Sequence, residues 1–502
     1  MPNKLYYFIA LVLGATLTLG YAPFNLWPIV PIAFTGFLYL LSRRPHIGGR
    51  ISWCFGFGWF GAGISWVHVS IADFGGIPLI ASIAMMALLS AYLALYPLFA
   101  GYLLTRFVRI SLWPMLFPLL WVIAEWLRSW ILTGFPWLSL GYSQLSGPLS
   151  GWLPIMGETG VSALLALGCC ALAIGISQKR YMLAMLPALV IGISGLVLNQ
   201  ISWVQTTGKT AKISLVQGNI QQEMRWNPDA EGPTMDKYRQ LTAPHWDSDI
   251  IIWPEAAIPR LEALATPYLL ELDAKGIDTQ TALIAGMLDY DFISRQSFNN
   301  LVVLGQQHTD QTRPEYYYQH PNRFSKHHLL PIGEFIPFED VLRGLAPIFD
   351  LPFSSFTRGD YQQPNLEANG YQIAAAICFE IAFPRQVRAN LNEHTDFILT
   401  VSNDAWFGHS HGPAQHLQIA EVRAKELGLP VLRATNNGIT AVIDADGEIQ
   451  ARLPQFEAGV LSANVATVSG QTPYRNFGDT LMWLFSLLLT VVGWIQQTRL
   501  SH

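Results

Sequence analysis

Three residues that together can attack an acyl carbon stand well apart in the chain: a carboxylate at Glu255, an amine at Lys326 and a thiol at Cys378. A glutamate can take a proton, a lysine can hold negative charge, and a cysteine can form a covalent intermediate. Asp249-Ile-Ile-Ile-Trp-Pro-Glu255 is an apolar run that ends in an acid after a proline. Arg323-Phe-Ser-Lys-His-His-Leu-Leu-Pro-Ile-Gly-Glu334 sets the lysine and a second acid around Pro331-Ile-Gly333. Ala374-Ala-Ala-Ile-Cys-Phe-Glu-Ile-Ala-Phe-Pro384 leads small and apolar residues into the cysteine, with Glu380 two positions beyond it. Singly, each has a plainer reading: a solvated strand-end carboxylate, an exposed loop lysine, a buried inert thiol. In the order Glu, Lys, Cys they supply a base, a cation and a nucleophile.

The elements that must position these groups can be read from the same runs. Tyr371 to Ile377 reads as a buried strand and the segment from Arg385 onward as a helix start. Cys378 then lies on a strand-to-helix turn, where free backbone N–H groups can stabilise a thiolate or an oxyanion. Further short apolar strands are expected at 212–217, 249–253, 282–286, 300–305, 397–401, 431–434 and 440–444, alternating with polar helical stretches. Strand followed by Asp-Ala-Asp-Gly within 439–448 is a hairpin signal. The pattern between Trp203 and Tyr474 suits a layered α/β domain of roughly 270 residues. Asn403-Asp-Ala-Trp-Phe-Gly408 and Arg433-Ala-Thr-Asn-Asn-Gly438 follow apolar strands and read either as turns or as the mouth of the site. His409, His411 and His416 fit no common zinc spacing. The other cysteines, Cys54, Cys169 and Cys170, lie in apolar segments and read as small hydrophobic residues.

The remainder of the chain is far more apolar. Of 502 residues, 51% are hydrophobic and 13% charged, about half the charge of an ordinary soluble domain, and the mean hydropathy is +0.29. The net charge of −5 gives no case for nucleic acid. Runs near 5–22, 25–41, 52–71, 78–104, 112–131, 159–177, 181–199 and 479–497 have the length and composition of bilayer spans. With the N-terminus in the cytoplasm, Lys4, Arg43, Arg44, Arg50, Arg106, Arg109, Lys179, Arg180 and Arg499 all fall on the cytoplasmic side. Arg128 is the one basic residue in the short loops opposite, so the long polar segment is expected outside the cytoplasm. Gly56, Gly58, Gly61 and Gly63 share one span and read as close helix packing. The loop Thr133-Gly-Phe-Pro-Trp-Leu-Ser-Leu-Gly-Tyr142, near Glu125, Arg128 and Glu158, reads either as an interfacial aromatic belt or as a lipid head-group or acyl-chain site.

At these residues the chain resembles the carbon–nitrogen hydrolase (nitrilase) superfamily, and most closely its membrane branch, the apolipoprotein N-acyltransferases. The resemblance is carried by Trp253-Pro-Glu255, Lys326 with Pro331-Ile-Gly-Glu334, Cys378-Phe-Glu380, Ser402-Asn-Asp-Ala-Trp-Phe-Gly408, Arg433-Ala-Thr-Asn-Asn-Gly-Ile-Thr440, Gln217-Gly-Asn-Ile220 with Trp226, and Gly134-Phe-Pro-Trp137. It implies a polytopic α-helical membrane protein of about eight transmembrane helices with an inserted α-β-β-α sandwich. The expected divisions are seven spans in 1–202, a periplasmic catalytic domain in 203–475 and a last span in 476–502. Glu255, Lys326 and Cys378 take the triad roles. Glu334, Glu380, Trp226, Phe379, Trp137, Asn403 and Trp406 become accessory or substrate-binding residues. Phe379 departs from a position that is often Tyr in the family.

The implied reaction is the last step of bacterial lipoprotein maturation in the inner membrane. An sn-1 acyl chain passes from a phospholipid such as phosphatidylethanolamine to a Cys378 thioester. It then passes to the N-terminal amine of a diacylglyceryl apolipoprotein. No metal or cofactor is required, and nothing calls for more than a monomer. Apolar residues 342–356 suit a lid resting in the interface. A membrane-tethered amidase and a non-catalytic scaffold are the alternatives. The triad itself is compatible with an amidase, since only the second nucleophile differs.

Overall fold

The computed structural model describes residues 2–224, 227–305, 316–331, 333–335 and 356–499. The positions proposed for Trp226 and for nearly all of the interfacial lid therefore lie outside the described residues. The chain divides into two units, one of Met1–Trp203, His409–Gln418 and Gln471–His502, the other of Val204–Gly408 and Ile419–Gly470.

In the second unit the apolar runs become strands. These are β1 (Val204–Gln217), β2 (Ile250–Ile252), β3 (Ala282–Asp291), β4 (Gln296–Leu304), β5 (Arg323–Ser325) and β6 (Leu366–Ala368). They continue as β7 (Tyr371–Ile377), β8 (Thr395–Ser402), β9 (Val431–Thr435), β10 (Ala441–Ile443), β11 (Ile449–Arg452) and β12 (Gly459–Gly470). Among the described residues these form two six-stranded sheets, ordered β12-β1-β2-β3-β4-β5 and β11-β10-β9-β8-β7-β6. Each is parallel at its centre, through β1-β2-β3 and β7-β8-β9, and antiparallel at its edges.

The period of two along each strand explains why these runs are apolar throughout. Ile213, Leu215, Ile250, Ile252, Ala282 and Ile284 share one core with Ile373, Ile377, Phe397, Leu399 and Val401 of the other sheet. The intervening Val216, Ile251, Leu283 and Ala285 join a second core with Tyr238, Ala265, Leu269 and Leu272. Those last residues come from the helices Pro228–Thr242 and Glu262–Thr279, which cover the first sheet. The hairpin expected at 439–448 is present as antiparallel β10 and β11, closed by Gly447 N–H donating to Asp444 O at 3.0 Å. Gly447 has φ +82°, a conformation that suits glycine.

In the first unit, Asn3–Gly20, Leu79–Phe107, Ile110–Arg128 and Ser150–Gln178 are long and apolar enough to cross a membrane. Pro45–Gly63 and Val67–Asp73 form a pair bent by 60° that adds a fifth such span if it is taken as one. Helices at Ile29–Arg43, Ala184–Leu198 and Thr480–Gln496 are apolar but shorter. Two of the clustered glycines meet neighbouring backbone directly. A Cβ at Gly58 would lie 2.0 Å from Leu11 O, and one at Gly56 would lie 2.9 Å from Ala94 Cα. Gly61, by contrast, faces open space.

The Gly134–Tyr142 loop is held by buried polar groups. Arg128 Nη1 donates to Phe135 O and Trp137 O at 2.7 and 2.6 Å. Ser139 Oγ donates to Glu125 Oε2 at 3.2 Å and also meets Glu158. Trp137 is buried, and its indole N–H donates to Gln415 Oε1 at 2.7 Å. Gln415 also accepts from Trp66 Nε1 at 3.2 Å and donates to Gly63 O at 3.0 Å. Of the three histidines, His411 Nε2 lies 3.0 Å from Gly63 O and the His416 ring lies beside Trp137.

Candidate active site

Parallel strands deliver their C-terminal ends to the same side of a sheet, and three groups of this site arrive that way. Ile377 of β7 pairs with Val401 of β8, so Cys378, the first residue past β7, lies beside Ser402, the last residue of β8. Ser402 Oγ lies 3.6 Å from Cys378 Sγ. Glu255 follows β2 in the other sheet, and Lys326 follows β5 directly.

Cys378 has φ +56°, a left-handed backbone that L-residues adopt at a cost of order 1 kcal/mol. It opens the tight turn Cys378–Ala382, which leads into the helix Pro384–Ala389. The expected strand-to-helix turn is therefore present. Burial pushes the Cys378 thiol up to about 12, the Glu255 charge adds to this, and Lys326 and the Ser402 hydroxyl oppose it. The resting group is consequently a thiol, which needs a base at the moment of attack.

The Glu255 carboxylate is buried and held at both oxygens. Asn299 Nδ2 donates to Oε1 at 2.8 Å, Asn403 N–H donates to Oε2 at 3.0 Å, and Lys326 Nζ lies 3.5 Å from Oε1. Gly286 of β3 allows this approach, since a Cβ there would lie 2.3 Å from Pro254 O and 2.8 Å from Glu255 Cα. Lys326 is buried as well, its N–H donating to Asn299 O at 2.8 Å and its Nζ to Glu334 Oε1 at 2.8 Å. Burial alone would lower the lysine pKa. The charges of Glu334 and Glu255 outweigh it and raise the pKa above the ordinary value, so the cation persists. Glu334 Oε2 accepts from Leu330 N–H at 2.8 Å, which fixes the loop beyond the lysine.

Glu380 plays a different part. Its buried carboxylate accepts from Ile377 N–H at 2.7 Å, from His327 and His328 N–H at 2.9 Å each, and from Gln386 Nε2 at 2.6 Å. It thus ties the strand end before Cys378 to the two residues after Lys326. Burial raises its pKa, and the donors around it pull the other way. Phe379 is buried in ring contact with Phe383 and His328, at centroid distances of 5.0 and 5.9 Å. Asn403 donates through Nδ2 to Gln222 Oε1 at 2.7 Å and accepts from Asn436 Nδ2 at 2.9 Å. Trp406 is half-buried in the turn Asp404–Phe407. Trp137 belongs to the other unit.

Sequence reasoning passed over Asn299, Gln386 and the Ser402 hydroxyl. Asn299 and Asn300 are buried amides directly before the apolar stretch 301–304 of β4, and that contrast was the available signal. A small cavity behind Glu255 is lined by Ile220, Thr234, Tyr238, Ala256, Pro259 and Asn436.

Two facing sheets whose strand ends assemble a glutamate, a lysine and a cysteine define the class of carbon–nitrogen hydrolases, and the family model described as Carbon-nitrogen hydrolase matches residues 212–474. A second model, described as Apolipoprotein N-acyltransferase N-terminal domain, matches residues 13–171. Curated proteins named Apolipoprotein N-acyltransferase are similar over nearly the whole chain. The one from Shewanella oneidensis is 49% identical, over 98% of this chain and 96% of its own. Those from Photobacterium profundum and Vibrio cholerae are each 46% identical, over 98% of this chain and 95% and 97% of theirs. The chain belongs to the apolipoprotein N-acyltransferase family.

Proposed function

We propose that the protein is an N-acyltransferase that carries an acyl chain on Cys378 from a phospholipid to the N-terminal amine of a diacylglyceryl apolipoprotein. The observation that carries this reading is the placement of the one thiol of the second unit at a left-handed turn, under the electrostatic influence of both Glu255 and Lys326. Glu255 takes the thiol proton as the sulfur attacks the sn-1 ester carbonyl, here of phosphatidylethanolamine. Lys326 and the backbone N–H near Phe379 balance the oxyanion. Glu255 returns that proton to the departing alkoxide oxygen, so the lysophospholipid leaves as an alcohol, Glu255 is a free base again and a thioester remains. The amine then attacks the thioester, Glu255 takes up its proton, and Cys378 leaves as a thiolate.

Both substrates keep their acyl chains in the bilayer, where exposing each methylene to water would cost about 0.8 kcal/mol. A membrane unit joined to the catalytic unit avoids that cost. We assign the chain to the bacterial inner membrane as a monomer. The apolar runs of the sequence support eight spans, and the basic residues flanking them support cytoplasmic termini and a periplasmic catalytic domain at 203–475. Spans occupy 1–202 and 476–502.

Intact mass tests this. The detergent-solubilised protein, given phosphatidylethanolamine of defined chains, gains one hydroxylamine-labile acyl chain, and Cys378→Ala does not. Adding a diacylglyceryl peptide moves the chain to the peptide amine. A wild-type protein that stays unacylated with lipid and fold intact refutes the assignment.

A further inference from the structure

The nucleophile has a neighbour for which the proposed reaction leaves no role. Ser402 is fully buried at the end of β8, with its Oγ 3.6 Å from Cys378 Sγ and 2.5 Å from Asp404 Oδ1. Asp404 is itself held. Arg433 Nη2 donates to its Oδ2 at 2.7 Å, and both side chains are fully or almost fully buried. Gly438 leaves the room this needs, since a Cβ there would lie 2.2 Å from Asp404 Oδ2. A line of polar groups thus runs Arg433, Asp404, Ser402, Cys378, and it approaches the sulfur through a different group from Glu255 and Lys326.

A hydroxyl has one proton and two acceptor lone pairs. Between a carboxylate and a neutral thiol, that proton belongs to the carboxylate, the stronger acceptor. Ser402 then offers the sulfur only a lone pair, which the S–H can meet. Once the sulfur is an anion, the competition changes, because Asp404 is shared with Arg433 and the thiolate carries a full charge.

We propose that the Ser402 hydroxyl is a further catalytic group, which turns its proton from Asp404 to the Cys378 sulfur as the thiol becomes a thiolate. No bond to Ser402 breaks. The S–H proton passes to Glu255, the sulfur keeps the electron pair, and the Ser402 O–H exchanges one acceptor for another. When the sulfur bonds to the acyl carbon its charge moves to the carbonyl oxygen, and the hydroxyl returns to Asp404. In the second half-reaction the same turn receives the departing thiolate. Among the described residues, the charged groups acting on the sulfur include Glu255 after β2, Lys326 after β5, and Asp404 after β8, which is paired with Arg433.

The inference rests on Cys378 as the nucleophile, and its test is chosen to stand apart from that reading. In full-length protein in detergent, iodoacetamide labelling of Cys378 is followed by peptide mass spectrometry against pH, with no lipid present. Ser402→Ala raises the labelling midpoint and slows labelling about tenfold at a fixed pH below it, the loss expected for one hydrogen bond to an anion. Thioester formation slows by a similar factor while the KM for phospholipid holds. Ser402→Thr, which keeps the hydroxyl, restores the midpoint. A wild-type midpoint in Ser402→Ala overturns the proposal, and so does an equal shift in both variants, which would mark a packing role. Acyl transfer by Cys378→Ala would instead refute the nucleophile assignment, independently of any labelling midpoint.

Discussion

Replacing Glu380 with glutamine tests whether Cys378 and Lys326 are held in register by one buried carboxylate. The carboxylate accepts four hydrogen bonds, three at Oε1 and one at Oε2. A glutamine of the same shape offers one oxygen. Its best orientation keeps that oxygen on the His327, His328 and Gln386 side and turns the amide NH2 toward Ile377 N–H. One charge-assisted bond is then lost, a buried donor faces another donor, and three bonds weaken. Each orphaned buried donor costs about 1–3 kcal/mol, and relief of the buried charge offsets part of the loss. The net expectation is about 2 kcal/mol, which in a unit of this size lowers the melting temperature by about 4–8 °C. The functional effect is the larger one. His327 and His328 follow Lys326 directly, and Ile377 precedes Cys378, so loosening the tie misplaces the cation relative to the sulfur. A shift of about 1 Å in such a constellation costs up to a hundredfold in rate. Thermal unfolding in detergent and the rate of thioester formation by intact mass read the two effects. A Glu380→Gln protein that melts with the wild type and acylates at the wild-type rate refutes the reasoning.

Glu255→Gln separates two effects of one charge. The Glu255 carboxylate helps raise the thiol, so removing it lets the thiolate form at lower pH and speeds alkylation of Cys378 near neutrality. The same change removes the proposed base, so thioester formation falls by at least about a hundredfold; parallel changes in the two rates would contradict this. Gly286→Ala drives a Cβ into Pro254 O, a backbone contact that cannot turn aside. It should cost about 1–3 kcal/mol by thermal unfolding and slow acylation by displacing Glu255. Gln415→Leu leaves the Trp66 and Trp137 indole N–H groups without their glutamine acceptor. A loss of roughly 2 kcal/mol follows, seen as a lower melting temperature; an unchanged melt would show that the two indoles find other acceptors.

The strand ends were legible because a strand buried on both faces must be apolar throughout, so the acid or thiol that ends the run stands out. That contrast located Glu255 and Cys378, and the lysine followed from its place among Arg323–Glu334. The short strands β5 and β6 were invisible for the opposite reason. Arg323–Ser325 and Leu366–Ala368 have three residues each, too few for a period to show. β12 is rich in small and polar residues, since much of its surface is exposed, and only pairing with β1 makes it a strand. In the membrane unit, composition marks apolar runs but not where a helix bends. The run expected at 52–71 is a helix that breaks after Gly63 and resumes at a 60° angle. Asn299 could not be assigned a role from the sequence, because its work depends on β4 lying beside β5 and near Glu255, a long-range pairing that no local pattern encodes.

The detour at His409–Gln418 bears on how the gene can be cut. The stretch falls between β8 and β9 yet groups with the membrane unit, where Gln415 meets Gly63, Trp66 and Trp137, and Gln418 meets Ala22 and Asn25. A shortened gene for residues 204–470 would carry this stretch away from all five partners. It would remove both glutamines from these partners and take the glutamine acceptor from the Trp66 and Trp137 indoles. The catalytic portion is therefore not a cassette that shuffling could lift out whole. Any soluble version needs residues 409–418 redesigned as well as the two obvious ends, and a fusion joining one relative's membrane portion to another's catalytic portion must take that stretch from the membrane parent.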